Sequence, residues 1–215
     1  MTGQIKKNAL AALSTRKTDG TGLRVAIVHA KWNEEVVSAL VKGCRQELLK
    51  SGVRDEDIVV LEVSGSYELP YAASRVIASQ KIDAVVCVGC LIKGGTMHFE
   101  YICEAVTQGI MRVQLESGVP VLFGVLTVLT EEQAKERAGL TANGHNHGIE
   151  WAQTAIEMAR LREITSKGGC PMRFPEKKPY HDLTSCPFFT VSAWLHVAVI
   201  STVGLAAAAV WKKYN

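Results

Sequence analysis

The sequence predicts an α/β protein whose parallel β-sheet is covered by helices on both faces. Strongly apolar runs recur at Leu23–Val28, Ile58–Val63, Ile82–Cys90 and Val121–Thr127. Between them lie segments whose apolar residues follow helical spacing. Buried strands that alternate with helices call for a sheet sandwiched between two helix layers, in which neighbouring strands run parallel.

The elements follow in order. After the first run, Asn33 is placed to cap a helix in which Val36, Val37, Leu40, Val41, Cys44 and Leu48 form one apolar face and Gly52 marks the end. The second run leads through Ser64-Gly65-Ser66 into a helix starting near Glu68, with Pro70 in its first turn, where a missing N–H costs nothing. The third run, Ile82–Cys90, reads as a fully buried strand that passes through a glycine loop into a long helix from about His98 to Glu116. A strand Val121–Thr127, a short helix Glu131–Ala138 and a helix from about Gly148 to Arg162 complete the alternation.

Both ends differ in character from this core. Residues 1–21 hold Lys6, Lys7, Arg16 and Lys17 with no acid before Asp19 and no apolar leader core, so they read as a flexible arm, with organellar targeting as the alternative. The regular domain spans 22–165. Residues 166–187, with Gly168-Gly169-Cys170-Pro171, Pro175, Pro179 and Pro187, read as an irregular linker. Residues 188–211 are a candidate transmembrane tail or a non-native extension. The 23 residues from Phe188 to Val210 carry no Asp, Glu, Lys or Arg, and as a helix they would reach about 34 Å, enough to cross a bilayer core.

Composition narrows the function. The chain has 215 residues, 47% of them hydrophobic, which is enough for a substantial core. A net charge of +3 comes from 24 basic and 21 acidic residues scattered among one another, which argues against a nucleic-acid partner. Six cysteines without a secretory leader suit a reducing compartment and a cytoplasmic location, with membrane anchoring through the tail as the alternative.

The residues with chemical character sit where such sheets bind ligands, beyond the carboxyl ends of the strands. Gly89-Cys90-Leu91-Ile92-Lys93-Gly94-Gly95-Thr96-Met97-His98 predicts an anion site at a helix N-terminus, because Gly94 and Gly95 permit unusual backbone angles and close approach. His98, expected about one turn into the helix, would be the proton carrier beside it. The loop lacks the Gly-Lys-Ser/Thr ending of a P-loop and the three spaced glycines of a dinucleotide fingerprint. Trp32-Asn33 offers either an aromatic plane and an amide for a ligand, or a core aromatic and a helix cap. Gly65-Ser66-Tyr67-Glu68-Leu69-Pro70 offers a hydroxyl and a carboxylate suited to a polyol, or a plain helix start. Arg137 is by default a surface charge and, if the loop holds phosphate, a bidentate clamp. His145-Asn146-His147 has no zinc-ligand spacing, and Cys87-Val88-Gly89-Cys90 lies inside a buried strand rather than at a helix start, so neither reads as a metal or redox site.

Taken together, residues from about Leu23 to Leu161 resemble the lumazine synthase family, closest to its fungal type. The resemblance rests on six co-linear motifs: His29-Ala30-Lys31-Trp32-Asn33, Gly65 to Pro70, Gly94 to Ile102, Thr130-Glu131-Glu132-Gln133-Ala134, Arg137-Ala138-Gly139 and His145-Asn146-His147-Gly148. It implies a flavodoxin-like, three-layer α/β/α fold. It implies condensation of 5-amino-6-(D-ribitylamino)uracil with 3,4-dihydroxy-2-butanone 4-phosphate, with no metal or cofactor. Trp32, Asn33, Ser66, Tyr67, Glu68, Cys90, Leu91 and Ile92 would then bind the ribitylaminouracil, joined by Phe123 from a neighbouring subunit. Gly95, Thr96 and Arg137 would hold the phosphate, and His98 would donate and accept protons. Gly95 stands where the family usually has Ser or Ala, and Cys90 where it has an aliphatic residue. The family forms homo-oligomers. With a hydrophobic tail a pentamer is expected over a closed shell of sixty subunits, since a pentamer can present its tails to one bilayer.

Overall fold

The computed structural model describes residues 18–167. The proposed arm before Thr18 and the proposed linker and membrane tail lie outside the described residues. Strands β1 (Val25–Ala30), β2 (Ile58–Val63), β3 (Ala84–Ile92) and β4 (Val121–Val128) alternate with helices α1 (Glu34–Lys50), α2 (Leu69–Ser79), α3 (His98–Ser117), α4 (Glu131–Arg137) and α5 (Gly148–Lys167). The strands form one parallel sheet in the order β2-β1-β3-β4. This is the expected α/β sandwich.

Strand alternation sorts the core into two layers. Val25 and Ile27, with Ala84, Val86 and Val88, point to one face and pack under Leu40, Cys44 and Leu48 of α1 and Ala152, Ala155 and Ile156 of α5. Ala26, Val28, Val85 and Cys87 point to the other face, under Leu69, Ala73 and Val76 of α2 and Val106 and Ile110 of α3. Each fully buried aliphatic side chain contributes roughly 1.5–3 kcal/mol of transfer free energy.

Boundaries moved where tertiary contacts extend an element. The third strand runs on through Leu91 and Ile92, and Lys93 N still donates to the Val128 carbonyl at 2.9 Å. The expected helix near Glu68 is preceded by a single 3₁₀ turn over Ser66–Glu68, with α2 proper starting at Leu69. The last helix continues past Arg162 to Lys167. No helix among the described residues is long and apolar enough to cross a membrane.

The strand order places the chemistry. From β1 the chain steps outward to β2, returns past β1 to β3, and continues to β4. The connections leaving β1 and β3 therefore diverge, which opens a crevice at the carboxyl ends of these two strands.

Candidate active site

That crevice is occupied by a cleft of about 720 Å³. It draws Trp32 and Asn33 from the end of β1, Gly65 to Glu68 from the end of β2, Cys90 to Ile92 from β3, and Gly94, Thr96, His98, Phe99 and Ile102 from the glycine loop and the start of α3. Ten residues named from sequence thus meet in one place: Trp32, Asn33, Ser66, Tyr67, Glu68, Cys90, Leu91, Ile92, Thr96 and His98.

Asn33 holds the crevice together in a way the sequence did not suggest. Its side chain makes no cap of α1. Instead Nδ2 donates to the Cys90 carbonyl at 2.9 Å, tying the end of β1 to the end of β3. Its backbone is left-handed at φ 59°, the one positive φ outside glycine among the described residues. Asn tolerates that region better than most residues because its short polar side chain can bond locally. Its neighbour Trp32 is 73% exposed, so the aromatic plane belongs to the cleft wall and not to the core.

At β2 the chain turns sharply, and Glu68 accepts a hydrogen bond from Gly65 N at 2.9 Å through one carboxylate oxygen. Ser66 is nearly buried, 5% exposed, against β3. It fits there because residue 89 is glycine: a Cβ at Gly89 would lie 2.5 Å from the Ser66 hydroxyl.

The glycine loop corrects two expectations. His98 is the first residue of α3, not a turn inside it, because the helix starts directly after Met97. Its amide faces the Thr96 hydroxyl at 3.4 Å. Neither Gly94 nor Gly95 has a positive φ, and a Cβ on either would meet nothing within 4 Å. Backbone strain therefore does not require glycine here; what remains is open space in front of the main chain at the N-terminus of a 20-residue helix, whose first amides lack intrahelical partners. An ion pair between Lys93 and Glu100, with the Lys93 ammonium 5.7 Å from the Phe99 ring centre, closes the base of the loop.

Burial pushes the Cys87 thiol up to about 12 and the Cys90 thiol to about 11, so both stay protonated at neutral pH and neither is a nucleophile or redox centre.

Gly95, Phe123 and Arg137 do not line the cleft. Gly94 takes the lining position in the loop. Phe123 lies on the edge strand β4 and is 38% exposed. Arg137 ends α4, with its guanidinium turned to His147 at 3.4 Å. Sequence reasoning missed Phe99 and Ile102, which line the cleft one turn apart on α3. Their i, i+3 spacing after His98 was the available signal.

The profile of the 6,7-dimethyl-8-ribityllumazine synthase family matches residues 22–163. The chain belongs to that family. It is 54% identical over 140 residues to the 6,7-dimethyl-8-ribityllumazine synthase of Schizosaccharomyces pombe, covering 65% of this chain and 87% of that one. It is 41% identical over 186 residues to the enzyme of the same name from Pyricularia oryzae, covering 70% and 93%. The Porphyromonas gingivalis enzyme of that name is 44% identical over 145 residues, covering 67% and 89%. The matched span contains β1 to β4 and every residue of the cleft.

Proposed function

We propose that this chain is the transferase of riboflavin biosynthesis that condenses 5-amino-6-(D-ribitylamino)uracil with 3,4-dihydroxy-2-butanone 4-phosphate, giving 6,7-dimethyl-8-ribityllumazine, phosphate and water. The observation that carries this reading is the convergence of four separate stretches of sequence, around Trp32, Ser66, Cys90 and His98, on one cleft at the crevice of the sheet.

In this reading the pyrimidine stacks on Trp32 and meets backbone groups of Cys90, Leu91 and Ile92 along its uracil edge. Ser66, Tyr67, Glu68 and Asn33 hold the ribityl-pyrimidine. The Gly95 amide, the Thr96 hydroxyl and the N-terminal end of α3 face the phosphate. The chemistry needs an amine to attack a ketone, phosphate to leave, and a ring to close with loss of water. Each step moves a proton, and His98 stands beside the anion site to give and take it. Holding both reactants in register supplies several kcal/mol of the barrier reduction, and a placed general acid and base roughly 10²–10⁴-fold.

Arg137 and Phe123 complete the site from a second copy of the chain. Their position outside the cleft, on an exposed helix end and an edge strand, supports that assignment. A pentamer rather than a closed shell fits the 23 residues without Asp, Glu, Lys or Arg from Phe188 to Val210, since a shell would have to solvate sixty such segments. A soluble closed capsid of the full-length chain, seen by sedimentation, would overturn the pentamer.

The second reading is a flavin- or lumazine-binding oligomer with little turnover. It ranks below the synthase because every group assigned to the reaction is present. Mixing the protein with both substrates and following lumazine absorbance separates the two. Turnover well above the spontaneous reaction is expected; tight flavin binding with no such rate would establish the binding protein instead.

A further inference from the structure

Arg137 is the last residue of α4, and its surroundings are more organised than a surface cation requires. His147 Nε2 lies 3.4 Å from Nη1 of Arg137, and His147 Nδ1 lies 2.8 Å from a carboxylate oxygen of Glu150 in the first turn of α5. The other oxygen of Glu150 is 3.4 Å from His145. Main chain fixes the same corner: His147 N donates to the Arg137 carbonyl at 3.0 Å, and Ala138 pairs with Asn146 in an isolated antiparallel bridge. Asn146 is itself anchored, donating to the Ala39 carbonyl at 2.8 Å and accepting from Gly148 N at 2.9 Å. The His147 ring is flanked by the rings of His145 and Trp151, with centroids 5.6 and 6.4 Å away.

This geometry fixes a tautomer. An unprotonated ring nitrogen 2.8 Å from a carboxylate oxygen would set lone pair against lone pair, so Nδ1 carries the hydrogen. In the neutral ring Nε2 is then the acceptor, and it faces a guanidinium, which has only donors to offer. Placing imidazole between Glu150 and Arg137 also keeps the carboxylate from pairing directly with the guanidinium, where it would compete with an anionic ligand. One N–H spent on His147 leaves the rest of the fork for a bidentate contact. A cation already lies against Nε2, which argues against reading this corner as a metal site.

We propose that His147, locked in one tautomer by Glu150, is a positioning residue that aims the Arg137 guanidinium at the phosphate of the butanone substrate. The proposal rests on the reading of Arg137 as the phosphate clamp. It gives the His145-Asn146-His147 motif a task other than metal binding: the central Asn fixes the loop, and the second His orients the arginine.

The test is steady-state kinetics of the full-length chain with each substrate varied in turn. His147→Leu should raise KM for the butanone phosphate about three- to tenfold, the worth of one orienting hydrogen bond. It should leave KM for the pyrimidine and kcat within about twofold, a split that a general structural defect would not give. His147→Gln, whose side-chain oxygen can stand in for the Nε2 acceptor, should restore most of the loss, and Glu150→Ala should reproduce it. In an Arg137→Ala background, His147→Leu should add nothing further.

An unchanged KM for the butanone phosphate in His147→Leu, or an undiminished effect in the Arg137→Ala background, would overturn the relay. If Arg137→Ala itself leaves that KM unchanged, the clamp reading falls and the relay with it. If Arg137→Ala raises KM and His147→Leu does not, only the relay falls. Should His147→Leu fail to fold, His147→Gln and Glu150→Ala decide: similar KM increases in both would overturn the proposal, as would no increase in Glu150→Ala.

Discussion

The cleft and the corner formed by α4, α5 and β4 both carry residues assigned to the reaction, but they are assembled on different principles. Trp32, Ser66 and His98 follow β1, β2 and β3, and they converge because those strands are parallel neighbours whose carboxyl ends share one edge of the sheet. Phe123 and Arg137 belong to the edge strand and to the helix that follows it, and nothing in the sheet turns them toward the cleft. A parallel sheet gathers what hangs on its central strands. What hangs on its margin is left facing outward, where it can serve another copy.

Mixing variants tests that contrast most strongly. His98→Ala should lower kcat about 10- to 1000-fold, and Arg137→Ala should weaken use of the butanone phosphate. If the two residues act from different copies, co-assembling these variants restores some intact sites, about a quarter of them for random neighbours in a ring. Recovered lumazine formation would uphold the division of labour. A mixture no better than the sum of its parts would place both groups in one copy and erase the contrast.

Stability variants probe the same two regions through packing. At the start of α5, a Cβ on Gly148 would lie 2.2 Å from the Leu40 carbonyl and 3.0 Å from Cys44 N, so Gly148→Ala must push α5 away from α1. A loss of about 1–3 kcal/mol is expected from urea unfolding, with the Arg137 corner disturbed along with it. At the cleft, Asn33→Ala removes the tether to Cys90 and leaves alanine in a left-handed conformation. That combination costs roughly 1–3 kcal/mol. Asn33→Gly should recover the backbone part but not the tether. Equal losses in both Asn33 variants would show that the side-chain bond, and not the left-handed backbone, sets the cost.

The fold was legible because it depends on local pattern: apolar runs long enough for buried strands, and helical spacing between them. Asn33 shows where that legibility ends. Its position before α1 predicts a cap, and only the adjacency of β1 and β3 reveals a carbonyl on the far strand that its amide reaches instead. The cleft residues were readable one motif at a time, since each follows a strand end. Phe123 and Arg137 carry no such mark, because their place depends on a surface rather than on the sheet. The i, i+3 spacing of His147 and Glu150 could have suggested a pair, but the antiparallel bridge that brings Arg137 to them is a tertiary contact.

The smallest expected effect sharpens the comparison from the opposite side. Gly95 has neither a positive φ nor a neighbour that a Cβ would strike, so Gly95→Ala and Gly95→Ser should change the urea midpoint by no more than about 0.5 kcal/mol, as a plain surface substitution does. Where Gly148 is glycine because α1 is already there, Gly95 leaves space that no part of the described chain fills. If that space admits the phosphate to the main chain, a methyl group should alter KM for the butanone phosphate about twofold or more while leaving stability alone. Serine can return a hydroxyl to the anion and should differ from alanine in the favourable direction. Identical kinetics for Gly, Ala and Ser at this position would mean that the anion sits elsewhere along the N-terminus of α3, held by Thr96 and the helix amides without help from residue 95.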